Sequence, residues 1–189
     1  MAIDSLCDQT WGKDVAVVGV YCDFLAQREQ SAANILGAIL KQLISRRGVP
    51  EHIRRAFQKA RGEFGGRRLL LPHMVEILKK TITPLPRVFI CVDALDECTP
   101  KNRRDLLESL REITRVSPIT RVFLTGRPHI DGEIKKWFTE AARIPVTPTY
   151  ADIRNYLEMR LEGDTDPNAM DDELRADIMG IIPEKISER

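Results

Sequence analysis

The sequence lacks any strong excess of charge: 29 basic residues stand against 28 acidic ones, for a formal net charge of +1. A protein without a global positive field has no default attraction to nucleic acid, and with aromatics at only 6% it has few stacking platforms for single strands. Nucleic acid is therefore excluded as the expected partner. The chain has no apolar run near the roughly 20 residues that cross a bilayer, and its start lacks the basic region and apolar core of a signal peptide. The expectation is no membrane partner and a cytoplasmic location. The four cysteines, Cys7, Cys22, Cys91 and Cys98, form no CxxC pair, and no histidine stands at zinc-ligand spacing. This pattern excludes a disulfide scaffold and reads as reduced thiols, with Cys22 and Cys91 as small buried hydrophobes.

What is present is the mixture of a folded domain. In 189 residues, 43% are hydrophobic and 30% charged, enough to build a core and wet a surface. Residues 15–21, 88–92 and 122–125 are continuous apolar runs of strand length, the pattern of strands buried on both faces. Residues 144–146 form a weaker fourth candidate, demoted by Pro145 and Pro148. Between the runs lie helical periods. Ile35, Leu36, Ile39, Leu40 and Leu43 repeat at steps of three and four before Gly48 and Pro50. Leu71, Met74, Val75, Leu78 and Ile82 repeat behind Pro72. Thr99 and Pro100 predict a cap and first turn for the stripe Leu106, Leu107, Leu110 and Ile113. Thr149 with Asp152 predicts a capping box ahead of Ile153, Tyr156, Leu157 and Leu161, and a last helix through Leu174, Ile178 and Ile181 is expected to stop at Pro183. Residues 51–68, charged and glycine-bearing, read as a helical excursion followed by a loop. Strands alternating with helices predict an α/β fold with a three-layer parallel sheet.

The strongest chemical signal is RVFICVDALDEC, residues 87–98. A buried strand delivers Asp93 to its carboxyl end, where open parallel sheets bind ligands, and Asp96 and Glu97 follow within one turn. Clustered carboxylates repel one another and lose hydration, so a cation between them is the natural complement. Magnesium on nucleotide phosphates suits, because it needs only one or two carboxylates. On this reading Asp93 orients the magnesium shell through water, and Asp96 or Glu97 polarises the attacking water. The blander alternative, an acidic helix start, leaves the five preceding apolar residues unexplained. One helix later RVFLTGRPH, residues 121–129, ends in Thr125 and Arg127, and an arginine there can bond a terminal phosphate. Residues 21–24, YCDF, bring Asp23 toward the same edge, with a structural role.

These motifs, with YADIRNYLEMRL at residues 150–161, resemble the NACHT-type signal-transduction P-loop NTPases (STAND class) of fungi, including the nephrocystin-type N-terminal domains. The resemblance covers nearly the whole chain. It implies a P-loop NTPase-like parallel sheet truncated at both ends, with Asp93, Asp96 and Glu97 carrying the Walker B motif, Arg127 as a sensor arginine, and magnesium with ATP or GTP as cofactors, to which Asp93, Thr125 and Arg127 would bind. Residues 1–162 correspond to a partial core without the Walker A loop, and residues 163–189 to the start of a following helical region. The implied role is a nucleotide-dependent switch. One departure outweighs the matches: no GxxxxGK[ST] occurs, and Gly12-Lys13 is followed by Asp14 without a glycine-rich run. In that family the loop lies just upstream of a helix resembling residues 2–6, AIDSL. The expectation is a degenerate module that binds nucleotide weakly, does not hydrolyse it alone, and is marginal in stability or prone to self-association. The competing expectation is a non-enzymatic module that docks on full-length relatives.

Overall fold

A computed structural model describes residues 15–45, 48–63, 69–163 and 170–187. Residues 2–6 and the Gly12-Lys13 pair lie outside them. Packing divides the chain into two units, Met1–Ala141 and Ala142–Arg189.

Among the described residues the first unit holds three parallel strands in the order β1 (Ala16–Tyr21), β2 (Val88–Asp93), β3 (Thr120–Leu124). The register sets Val18 beside Ile90 and Ile90 beside Val122, so one face carries the even-numbered residues of all three strands. The chain is thus a mixed α/β protein with an open parallel sheet. Val88, Ile90, Cys91 and Val92 of the central strand are buried, as a run without alternation requires. The flanking strands depart from that expectation. In β3, Arg121 and Phe123 are exposed while Thr120 is buried and Val122 and Leu124 pack on the core, because the odd-numbered side chains point to the face away from the core cluster.

The even face packs on helices α1 (Ala32–Ser45), α3 (Leu71–Ile82) and α4 (Pro100–Val116), which also contact one another. Helix α2 (Glu51–Glu63) packs on α3. Leu36, Ile39, Leu78, Ile82, Leu107 and Leu110 are fully buried, each contributing about 1.5–3 kcal/mol by leaving water. The helix ends follow local chemistry. Pro72 and Pro100 sit in the first turns of α3 and α4, where a missing N–H costs nothing, and the Thr99 hydroxyl accepts the Asn102 N–H. Gly48 takes the left-handed conformation at φ 76° just before Pro50. Lys79 of α3 ties itself to Glu76 and across to Glu112 of α4. A short helix α5 (Asp131–Trp137) follows β3 and packs on α4.

In the second unit α6 (Tyr150–Glu162) and α7 (Asp172–Ser187) pack together. The Thr149–Asp152 capping box forms as its spacing predicts. Two expectations fail here. Residues 144–146 are not a strand: Ile144 and Val146 are 74% and 89% exposed, and the prolines at 145 and 148 remove the donors a ladder needs. Helix α7 runs through Pro183 instead of ending before it. Pro183 is buried, and this packing outweighs the one backbone hydrogen bond that proline removes.

Candidate functional site

Parallel pairing brings the carboxyl ends of β2 and β3 side by side, and every residue singled out from the two motifs lies there. Asp93 closes β2. Its Oδ1 accepts a short hydrogen bond from the Thr125 hydroxyl, and the same hydroxyl oxygen accepts the Ala94 N–H at 2.9 Å. The Thr125 backbone continues the link, its N–H donating to the Val92 carbonyl at 3.0 Å and its carbonyl accepting from Leu95 at 2.9 Å. Ala94 has φ 53° and ψ 46°, left-handed values that cost a non-glycine residue about 1 kcal/mol. That strained residue turns the chain sharply off β2 into the 3-10 turn Leu95–Glu97, aiming two carboxylates at the β3 end.

Arg127 meets them. Its Nε lies 3.4 Å from Asp96 Oδ2, its Nη2 lies 3.4 Å from Glu97 Oε1, and its backbone N–H donates to Asp96 Oδ1 at 3.2 Å. The Asp96 side chain is only 6% exposed, whereas Arg127 is 72% exposed. The acid is thus held inside and the arginine stands over it, open to solvent. Gly126 permits the approach: a Cβ there would lie 2.6 Å from Ile130 Cδ1 and 3.4 Å from Asp96 Oδ1.

Beneath the turn sits a residue that sequence reasoning missed. Arg103 of α4 is buried, donates from Nη1 to the Cys98 carbonyl at 3.0 Å and to the Asp96 carbonyl at 3.4 Å, and grips Glu133 of α5 with Nε and Nη2 at 2.8 and 2.7 Å. A guanidinium fork on a carboxylate is the strongest form of such a pair. The hydrogen bond from Arg103, opposed by desolvation, holds the Glu133 carboxyl below its ordinary value. The signal was present: Arg103 stands three and four residues before Leu106 and Leu107, on the buried stripe of α4. From the other side Gln27 donates its Nε2 to the Glu97 carbonyl at 2.7 Å. Asp23 is not part of the acidic cluster; its carboxylate accepts the Leu25 N–H and starts the turn Phe24–Ala26.

Among the described residues no three His, Cys, Asp or Glu side chains group as a metal centre. Asp96 and Glu97 are engaged by Arg127, and Asp93 gives one oxygen to Thr125. This donor set does not suit a metal site made by protein alone. It suits a hard cation held by one carboxylate together with water and ligand oxygens. A cavity of about 210 Å³ lies between α2 and α3, bounded by His52, Lys59, His73 and Lys80, and none of the acidic-edge residues lines it. No helix among the described residues is long and apolar enough to cross a membrane.

Acids at the end of one strand and an arginine at the end of the next thus share the carboxyl-end edge of an open parallel α/β sheet. The chain belongs to the family described as nephrocystin 3, N-terminal, whose family model matches residues 1–127. No curated protein sequence matches the chain.

Proposed function

We propose that this chain is a degenerate nucleotide-dependent switch module of the NACHT type, a P-loop NTPase-like parallel sheet that keeps the acidic and sensor edge and does not hydrolyse nucleotide by itself. The observation that carries the reading is Arg127 bridging Asp96 and Glu97 across two strands. An arginine exposed over a carboxylate pair is a detector of anions: a terminal phosphate competes for the guanidinium and releases the two acids. Asp93 would hold magnesium through water, with ATP or GTP oxygens completing its shell, and the ion would neutralise phosphate charge. Thr125 keeps Asp93 oriented.

The same geometry argues against turnover. Asp96 and Glu97 are occupied by Arg127, and no GxxxxGK[ST] among the 189 residues supplies the amide nest and lysine that position a triphosphate. The module then works in the cytoplasm through protein partners, by self-association or on related full-length NTPases. A purely non-enzymatic docking role is favoured by Tyr21 and Phe123, which are 46% and 42% exposed on the odd-numbered face of the sheet.

Calorimetry with magnesium-ATP and magnesium-GTP tests the proposal. The expected result is weak, magnesium-dependent binding lost in both Asp93→Ala and Arg127→Ala, with no turnover. Absence of binding at millimolar nucleotide sinks the switch reading and leaves the docking role. Steady hydrolysis abolished by Asp93→Ala shows an active enzyme and overturns the claim of degeneracy.

A further inference from the structure

Cys22 and Cys98 lie 76 residues apart in sequence, and their Sγ atoms are 3.2 Å apart in space. The fold makes this meeting. Register sets Tyr21 beside Asp93, and the Cys22 N–H extends the ladder by one bond to the Asp93 carbonyl at 3.0 Å. The left-handed Ala94 and the turn Leu95–Glu97 then carry the chain back, and the Cys98 N–H closes that turn on the Leu95 carbonyl at 3.2 Å. Both residues are buried, at 7% and 2% exposure, and both are free thiols. Gln27 on the Glu97 carbonyl and Arg103 on the Cys98 carbonyl hold the second cysteine in place.

We propose that Cys22 and Cys98 form an oxidative modification site, an intramolecular dithiol that hydrogen peroxide converts into a disulfide clamping the Leu95–Glu97 turn to the end of β1. The two thiols are not equivalent. The hydrogen bond shared with Cys22, and then the nearby Arg103 charge, push the Cys98 thiol down against its burial. The bond with Cys98 and desolvation push Cys22 up. Cys98 is therefore the nucleophile and Cys22 the resolving thiol.

In the first step the Cys98 thiolate attacks one peroxide oxygen. An S–O bond forms, the O–O bond breaks, and the leaving hydroxide takes a proton to become water. In the second step the Cys22 sulfur attacks the Cys98 sulfenic acid. The S–S bond forms, the S–O bond breaks, and hydroxide leaves with the Cys22 proton as a second water. Two thiols lose two electrons and one peroxide gains them. The sulfurs close by about 1.1 Å to reach the disulfide length of about 2.05 Å, a movement the short turn can supply. The product fastens the backbone that carries Asp96 and Glu97, so the acidic edge facing Arg127 is the part of the molecule it controls. Cys91 occupies an odd-numbered position of β2, off the face that takes Cys22 and Cys98 into its core cluster, and serves as the internal control.

The full chain, reduced and then treated with graded hydrogen peroxide, is unfolded in denaturant containing N-ethylmaleimide and mapped by non-reducing peptide mass spectrometry. The expected result is two fewer alkylated sites and a linked peptide pair bearing Cys22 and Cys98, both reversed by dithiothreitol and both retained in Cys91→Ser. In Cys22→Ser, dimedone should trap a sulfenic acid on Cys98. Alkylation of both Cys22 and Cys98 at peroxide levels that already oxidise the methionines overturns the proposal, as does a linkage through another cysteine. If a serine variant does not fold, the map of the unsubstituted chain still decides between these outcomes.

Discussion

The Gln42 side chain closes the outer edge of β1 at Gly19: its Oε1 accepts the Gly19 N–H at 3.0 Å and its Nε2 donates to the Gly19 carbonyl at 2.8 Å. Ala16 and Cys22 donate toward β2, to Arg87 and Asp93, so the even-numbered residues face the neighbouring strand and Gly19 faces outward. One primary amide thus takes the place of a neighbouring strand, with donor and acceptor in the right order. An open strand edge is a template for pairing with another chain, and this edge is blunted by a side chain from α1.

Replacing Gln42 with Ala leaves both Gly19 groups to water. The expected loss is about 1–2 kcal/mol, read as a lower urea midpoint, with a rise in concentration-dependent association by light scattering. Gln42→Glu should be no better, because a carboxylate placed against the Gly19 carbonyl cannot donate to it. Unchanged stability and association in both variants would show that the edge needs no cap.

Arg103 and Glu133 set an acid limb of stability. The Glu133 carboxyl lies below its ordinary value of 4.5, chiefly through the hydrogen bond from Arg103 and against the opposing pull of desolvation. A depressed folded value means that the stabilising contribution is fully present above pH 4.5 and is lost as pH falls through the lowered value. Melting temperature measured across that window should fall on acidification, and Glu133→Gln should flatten this part of the curve. Arg103→Met, which leaves Glu133 charged and the Cys98 carbonyl without its donor, should cost about 2 kcal/mol near neutral pH. Arg103→Lys should recover only part of it, since an ammonium cannot make the fork.

Gly126 leaves no room for a methyl group. A Cβ would stand 2.6 Å from Cδ1 of Ile130, which is itself 1% exposed and cannot easily yield. Gly126→Ala is expected to cost about 1–3 kcal/mol by overpacking. It should also displace Arg127 from Asp96, seen as a chemical-shift change at the Arg127 amide. A variant as stable as the parent, with that amide unmoved, would mean Ile130 repacks freely.

The Thr125 hydroxyl serves two partners, accepting from Ala94 and donating to Asp93. Thr125→Val keeps the shape and removes both bonds, so Ala94 loses its acceptor at a strained position. The expected cost is about 1–2 kcal/mol in equilibrium unfolding, with Thr125→Ser close to the parent. Equal stability of the valine and serine variants would remove the hydroxyl from the account.

Much of the framework was legible before any tertiary information. The run Val88–Val92 read as a strand buried on both faces, since nothing polar interrupts it for the length of a strand, and Val88, Ile90, Cys91 and Val92 are buried. Thr99, Pro100, Thr149 and Asp152 marked helix starts through hydrogen bonds that reach three residues along the chain. Local chemistry of this kind is encoded locally, and the acids after β2 and the arginine after β3 were recognisable by their place at strand ends. Pro183 departs from the expectation for the same reason, because a helix breaker is a local rule and the burial of Pro183 is not a local fact.

What the tertiary structure alone decided are the meetings between distant segments. Nothing in the spacing of Gln42 and Gly19, Arg103 and Glu133, or Cys22 and Cys98 announces that they touch. The cysteine contact depends on the parallel register of β1 with β2 and on the turn that the left-handed Ala94 imposes, the Gln42 contact on α1 packing against β1, and the Arg103 contact on α4 packing against α5. The sequence by itself determined which residues could be strand, helix start, acid and sensor. Register and packing decided which of them share a site, because hydrogen bonds and ion pairs act over a few ångströms of space and are indifferent to the length of chain between the partners.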